Sequence, residues 1–208
     1  MSVTRTLPTQ ARAREELKKF DDYAHAVTTI TEPHRMIHDG YFFNMSGVST
    51  ALASGGTFDI FFRVPAGTIG HMILVEFTLE DAPCMVTFHE NTTTSDDGTE
   101  CNIRNHNRIA GTANSDATAV VATFGPTVTA AGDILDSRYV PSVGGLGGQT
   151  AGMLVAGEDA EWVIGSPTEE TTYMWRLTNN SGGAIDLGYH FNGYQIGYPA
   201  KSTSHKNQ

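Results

Sequence analysis

Short runs of β-branched and aromatic residues, each closed by Gly, Pro, Asn or Asp, fill most of this chain and constrain its fold more than any other feature. Segments 58–64, 71–80, 84–90, 103–109, 133–140, 161–164, 171–178 and 184–198 read as strands, and 117–129 as a strand interrupted at Gly125-Pro126. Pro65-Ala66-Gly67, Asp81-Ala82-Pro83 and Ser166-Pro167-Thr168 are the stops between them. Residues 91–100 form a polar loop turning at Asp96-Asp97-Gly98, and 143–152 a glycine-rich loop. Asn179-Asn180-Ser181-Gly182-Gly183 reads as a hairpin turn. That makes eight or nine strands at irregular spacing, with no internal repeat and no helix among them. The pattern predicts an all-β fold, an antiparallel β-sandwich of the jelly-roll type, rather than a βαβ sheet. Phe58, Phe62, Phe77, Phe88, Trp175 and Phe191 are the expected core between its sheets.

Composition agrees. Among 208 residues, 26 are Thr and 22 are Gly; 39% are hydrophobic and only 17% charged. Such a mixture is too apolar for disorder and too rich in Thr and Gly for a helical bundle. A chain of this length buries roughly 70% of its unfolded surface, so it needs neither a disulfide nor a metal to be stable. Cys84 and Cys101 are accordingly expected as reduced, partly buried thiols. The net charge of −10, with only four lysines, argues against nucleic acid and against anionic membranes as partners. The longest apolar runs, such as Met72 to Val75, are four residues, far short of the ~20 that span a bilayer. Residues 1–10 lack the apolar core of a signal peptide. The expectation is a soluble protein made in a reducing cytoplasm.

Residues 1–35 read as an extension, 36–198 as the sandwich and 199–208 as a flexible tail. Within the extension an amphipathic helix is expected over 9–29, with Thr9 as its N-cap. Leu17, Phe20, Ala24 and Val27 share one helical face, while Glu15 and Glu16 precede Lys19 on the other. So narrow an apolar stripe has to be buried, either against its own domain or against a neighbouring subunit. The four apolar residues are therefore the candidate contacts of this extension.

No catalytic, cofactor or metal site is expected. His34 and His38 are four apart, but Arg35 stands where a zincin has its glutamate. His71, His89, His106 and His190 fall on separate strands. Asp96, Asp97 and Glu100 lack the alternating ligands of a calcium loop. Glu158, Asp159 and Glu161 read as loop and edge charges, and the run from Gly144 to Gly148 lacks the helix and lysine of a phosphate loop. There is no Gly-x-Ser-x-Gly elbow. The chain is not expected to be an enzyme.

Three stretches taken together carry a resemblance: Ile37-His38-Asp39-Gly40-Tyr41-Phe42-Phe43; Thr94-Ser95-Asp96-Asp97-Gly98-Thr99 leading to Arg104-Asn105-His106-Asn107-Arg108; and 171–183. The combination, over about 36–197, resembles small virion proteins of tailed bacteriophages, the jelly-roll decoration or cement proteins. The resemblance implies a structural role on the capsid exterior after synthesis in the host cytoplasm. It implies the major capsid protein as partner and a homo-oligomer, a trimer on local three-fold axes. It carries over no active-site residue. The same sandwich also suits a receptor- or carbohydrate-binding module of a tail or neck, for which Trp162, Tyr189, Tyr194 and Tyr198 are the candidate aromatic platform.

Overall fold

A computed structural model describes residues 36–79, 82–107, 119–141, 151–156 (backbone only) and 161–197. The helix expected over 9–29, with Leu17, Phe20, Ala24 and Val27, lies outside the described residues, as does the tail from 199. After a helical turn at 36–38, the described chain is almost wholly strand. The strands are β1 (Phe42–Leu52), β2 (Thr57–Val64), β3 (Thr68–Leu79), β4 (Cys84–Glu90), β5 (Thr93–Asp96), β6 (Thr99–Glu100) and β7 (Arg104–Asn105). They continue with β8 (Val121–Phe124), β9 (Thr127–Ala130), β10 (Asp133–Val140), β11 (Ala151–Ala156), β12 (Trp162–Ile164), β13 (Thr171–Asn179) and β14 (Ile185–Gly197).

Every pairing is antiparallel, and the pairings nest. β4 pairs with β10, β3 with β11 and β12, β2 with β13, and β1 with β14. Rolling up this ribbon sets β3 beside β14 and β4 beside β13. Two sheets result, ordered β11-β3-β14-β1-β7 with β12 also on β3, and β10-β4-β13-β2-β8-β6. Their facing sides share one core. Phe62 meets Phe191 at 5.7 Å, Phe77 meets Trp175 at 6.5 Å and Phe88 meets Trp162 at 5.0 Å across the sheets, while Phe88 stacks on Trp175 at 4.4 Å within one. All six expected core aromatics lie in or against this cluster. Each fully buried large side chain contributes roughly 1.5–3 kcal/mol.

The run from Asn179 to Gly183 is a corner between sheets and not the hairpin expected from its sequence. Both edges of β13 are already taken by β2 and β4, so β14 has to pair in the other sheet. The buried Asn179 side chain closes this corner. Its Nδ2 donates to the carbonyls of Leu52 (2.9 Å), Ala53 (3.1 Å) and Gly183 (2.8 Å), and its Oδ1 accepts the Ser181 amide at 2.9 Å. Leu52 and Ala53 begin the β1–β2 corner, so one side chain ties both crossovers at this end.

In β3 the inward positions change parity. Thr68, Gly70 and Met72 are buried, then Val75, Phe77 and Leu79. Ile73 is the extra residue of a bulge, since Met72 pairs with Gly193 but Leu74 with Asn192. The bulge brings backbones so close that a Cβ on Gly193 would overlap the His71 carbonyl oxygen.

The segment 91–100 differs from the expected plain loop, for β5 and β6 lie in it. β8 lies beyond β2 toward one end of the second sheet, with only the short β6 outside it, and β10 is the other edge, so the linking β9 has to cross β2, β13 and β4. The inner face is core, so β9 crosses outside; β5 crosses the same way in reverse and pairs with it. The strand expected over 103–109 shrinks to Arg104–Asn105 among the described residues, because Asn105 and Asn107 spend their amides on the Gly40 (2.8 Å) and His38 (2.9 Å) carbonyls. β1 and β11 were not legible as strands.

Gly193→Ala is expected to lower the unfolding free energy by about 3 kcal/mol. Gly182→Ala, with open space at its Cβ, is expected to change it by less than about 0.5 kcal/mol. Urea titrations of both variants check this.

Candidate functional site

Crossing strands β5 and β9 give the second sheet a buried outer face. Phe61, Met174, His89, Asp59 and Thr123 all point away from the core or lie at its edge, yet each is buried. Arg176 lies opposite Asp59 in register and grips both carboxylate oxygens at 2.7 Å. That bond raises the arginine's pKa further, against the opposing effect of burial. His89 bonds Thr87 Oγ1 through Nε2 at 2.7 Å. Burial first, then the nearby Arg176 charge, lowers its pKa, while Asp59 and the Gly132 backbone oppose the shift. The acidic loop is tied into the same structure. Arg63 pairs with Asp97, Thr123 Oγ1 donates to the Asp97 carbonyl, and Asp96 Oδ1 accepts the Gly98 amide at 2.9 Å. These groups hold the crossing strands down, and their polar atoms are turned on one another.

The first sheet carries an outer row of rings. His71 stacks on Tyr194 at 4.3 Å, 13° from parallel, and its Nδ1 meets Glu161 Oε1 at 2.7 Å. On the neighbouring strands His190 approaches Glu76 at 4.0 Å and Phe42 lies 4.8 Å from His106. Burial and then the His190 charge lower the His106 pKa. At this end of the sandwich is a cavity of about 80 Å³, lined by Phe62, Met72, Ile103, Val120, Ile164 and Phe191 among others. Gln195 Oε1 accepts the amides of Ala119 (3.0 Å) and Val120 (3.2 Å) beside it. The lining is mostly apolar, with Asn44, His71, Asn192 and Gln195 also on it.

The candidate aromatic platform divides. Trp162 faces the core against Phe88, and Tyr189 lies on Phe58 at 5.4 Å with its hydroxyl over Gly47, where a Cβ would meet it. Neither ring is presented to a ligand. Tyr194 is on the outer face, with one side taken by His71. Tyr198, His34, Glu158, Asp159 and the run from Gly144 to Gly148 lie outside the described residues. His71, His89, His106 and His190 are on different strands or their flanks, and Glu161 is engaged by His71 rather than facing a second acid. Among the described residues no group of three or more His, Cys, Asp or Glu is placed to hold a metal ion. No helix among them is long and apolar enough to cross a membrane. Cys84 and Cys101 are free and buried, and burial pushes the Cys101 thiol up to about 12.

One surface was missed in the sequence. β10 is an edge strand, and Ile134, Leu135 and Tyr139 on it are exposed. Its signal was present in the charges Asp133, Asp136 and Arg138 spaced along it, as edge strands carry. No known protein family matches this chain, and no curated protein does.

His89 fixes a pH dependence. Its pKa in the folded protein lies below the ordinary 6.5, so the unfolded chain binds the extra proton and stability falls as pH drops below about 6.5. In a proton NMR titration His89 is expected to reach its midpoint below 6.5; a midpoint at or above that value contradicts the buried placement.

Proposed function

We propose that this chain is a non-enzymatic virion structural protein, a decoration or cement protein that binds an assembled phage capsid through a jelly-roll sandwich. The observation that carries the reading is the nested pairing of β1–β14, β2–β13, β3–β11/β12 and β4–β10, rolled into two four-strand layers with accessory edges. A ribbon rolled in this order supports the jelly-roll assignment, the architecture that the sequence resemblance implies. The outer surfaces support an adhesive role. One face of the sandwich is roofed by its own crossing strands, while exposed apolar side chains gather on the edge strand β10.

The partner in this reading is the major capsid protein, presented as a lattice. Repeated sites make modest affinity per contact sufficient, because oligomeric engagement raises the effective concentration. Residues 1–35, with the apolar stripe Leu17, Phe20, Ala24 and Val27, supply the arm that docks on the shell or on an adjacent subunit. The tail or neck carbohydrate-binding alternative is the weaker reading, because Trp162 and Tyr189 are committed to packing.

Cosedimentation with purified heads that lack this protein is the test. The full chain is expected to pellet with heads to saturation. Residues 36–208 alone are expected to keep the sandwich's circular dichroism and to stay in the supernatant. A full chain that ignores heads overturns the decoration reading; a truncated chain that binds equally well overturns the role of the arm.

A further inference from the structure

The second sheet ends in β10, and among the described residues no strand pairs with its other side. Such an edge offers main-chain donors and acceptors to another strand, and natural sheets usually keep large apolar residues off it. Here Ile134 is 62% exposed, Leu135 40% and Tyr139 58%. The Ser137 amide bonds its neighbour's carboxylate, Asp136 Oδ1, at 2.8 Å, which places this donor on the free side. Asp136 also holds Arg138 Nε at 2.9 Å.

The order of residues along β10 is self-complementary. Counting outward from Ser137 in both directions gives Asp136 and Arg138, then Leu135 and Tyr139. In an antiparallel pair, residues directly opposite share a face. Two copies of β10 crossing at Ser137 therefore set each Asp136 against the second copy's Arg138, and each Leu135 against the second copy's Tyr139. The Ser137 amide passes from its own Asp136 to the second copy's Ser137 carbonyl, and the freed carboxylate meets a guanidinium. Leu135 is the extra residue of a bulge and ends the regular run, so the regular pairing covers 136–138, with Leu135 and Tyr139 meeting at each end.

We propose that β10 is a self-association edge, at which a second copy of this chain pairs isologously about a two-fold axis through Ser137. Identical surfaces on both copies are what a two-fold interface requires. This contact is separate from the proposed three-fold assembly on a capsid, since a two-fold pairing closes on itself at two copies.

Sedimentation equilibrium of the full chain from about 1 to 100 µM tests it, with charge-swap variants. The wild type is expected to dimerise. Asp136→Arg and Arg138→Asp each place like charges opposite one another twice, and each is expected to weaken the dimer by at least about tenfold. The double variant Asp136→Arg/Arg138→Asp restores the pairing and is expected to return to within about threefold of wild type. A wild type that stays monomeric overturns the proposal. So does an assembly, trimer included, that none of the three variants shifts, or a double variant no better than the singles.

Discussion

A single buried amide, that of Asn179, decides how the two sheets meet at one end of the molecule. Strands that change sheets leave main-chain carbonyls at their corners with no ladder partner, and a buried carbonyl without a donor costs about 1–3 kcal/mol. The two N–H groups of Asn179 reach three of them, those of Leu52, Ala53 and Gly183, the last two also held by the Gly56 amide and Ser181 Oγ, while its oxygen takes the Ser181 amide. The backbone of the same residue bonds Gly55 and Gly56 in both directions, at 2.8 and 3.0 Å. The β1–β2 and β13–β14 crossovers are thereby one unit. With these corners fixed, β1 and β14 are delivered as neighbours to one sheet, β2 and β13 to the other, and the aromatic core closes between them.

The same order of strands explains the unequal surfaces. Because β8 and β10 lie on opposite sides of β2, β13 and β4 in their sheet, the chain between them has to pass over its outer face. That passage takes Phe61, Met174 and Asp59 out of solvent and leaves the paired Arg176 part-buried. Breaking such a buried pair costs more than the pair itself supplies, so it acts as a lock on the crossing strands rather than as a binding group. Among the described residues, the ring-bearing outer face of the first sheet and the β10 edge are left uncovered.

The sequence was most informative where strand and turn chemistry are local. β4 and β10 have the boundaries that alternation suggests, and the Gly125-Pro126 break between β8 and β9 is where it was expected. Tyr173, Trp175 and Leu177 of β13 share the core face, as their spacing required. Long-range decisions were not legible. Asn179 to Gly183 has the composition of a hairpin turn, and only the occupation of both β13 edges makes it a corner. β1 mixes Ser, Gly and Thr with apolar residues, and its single glycine, Gly47, makes room for the Tyr189 ring. β5 holds only Thr, Ser and Asp, and is strand solely because β9 lies beside it. Of the candidate site, the scatter of histidines was correctly anticipated, whereas the inward turn of Trp162 and Tyr189 needed the packing to be known.

The stability of Asn179→Ala measures the central claim most directly, by urea unfolding followed through Trp175 fluorescence. Removal of the amide strands the Leu52 carbonyl and the Ser181 amide and takes one of two donors from the Ala53 and Gly183 carbonyls, and a loss of at least about 2 kcal/mol is expected. A loss below about 1 kcal/mol would mean that water or the backbone answers those groups, and that the two corners are not held by this side chain.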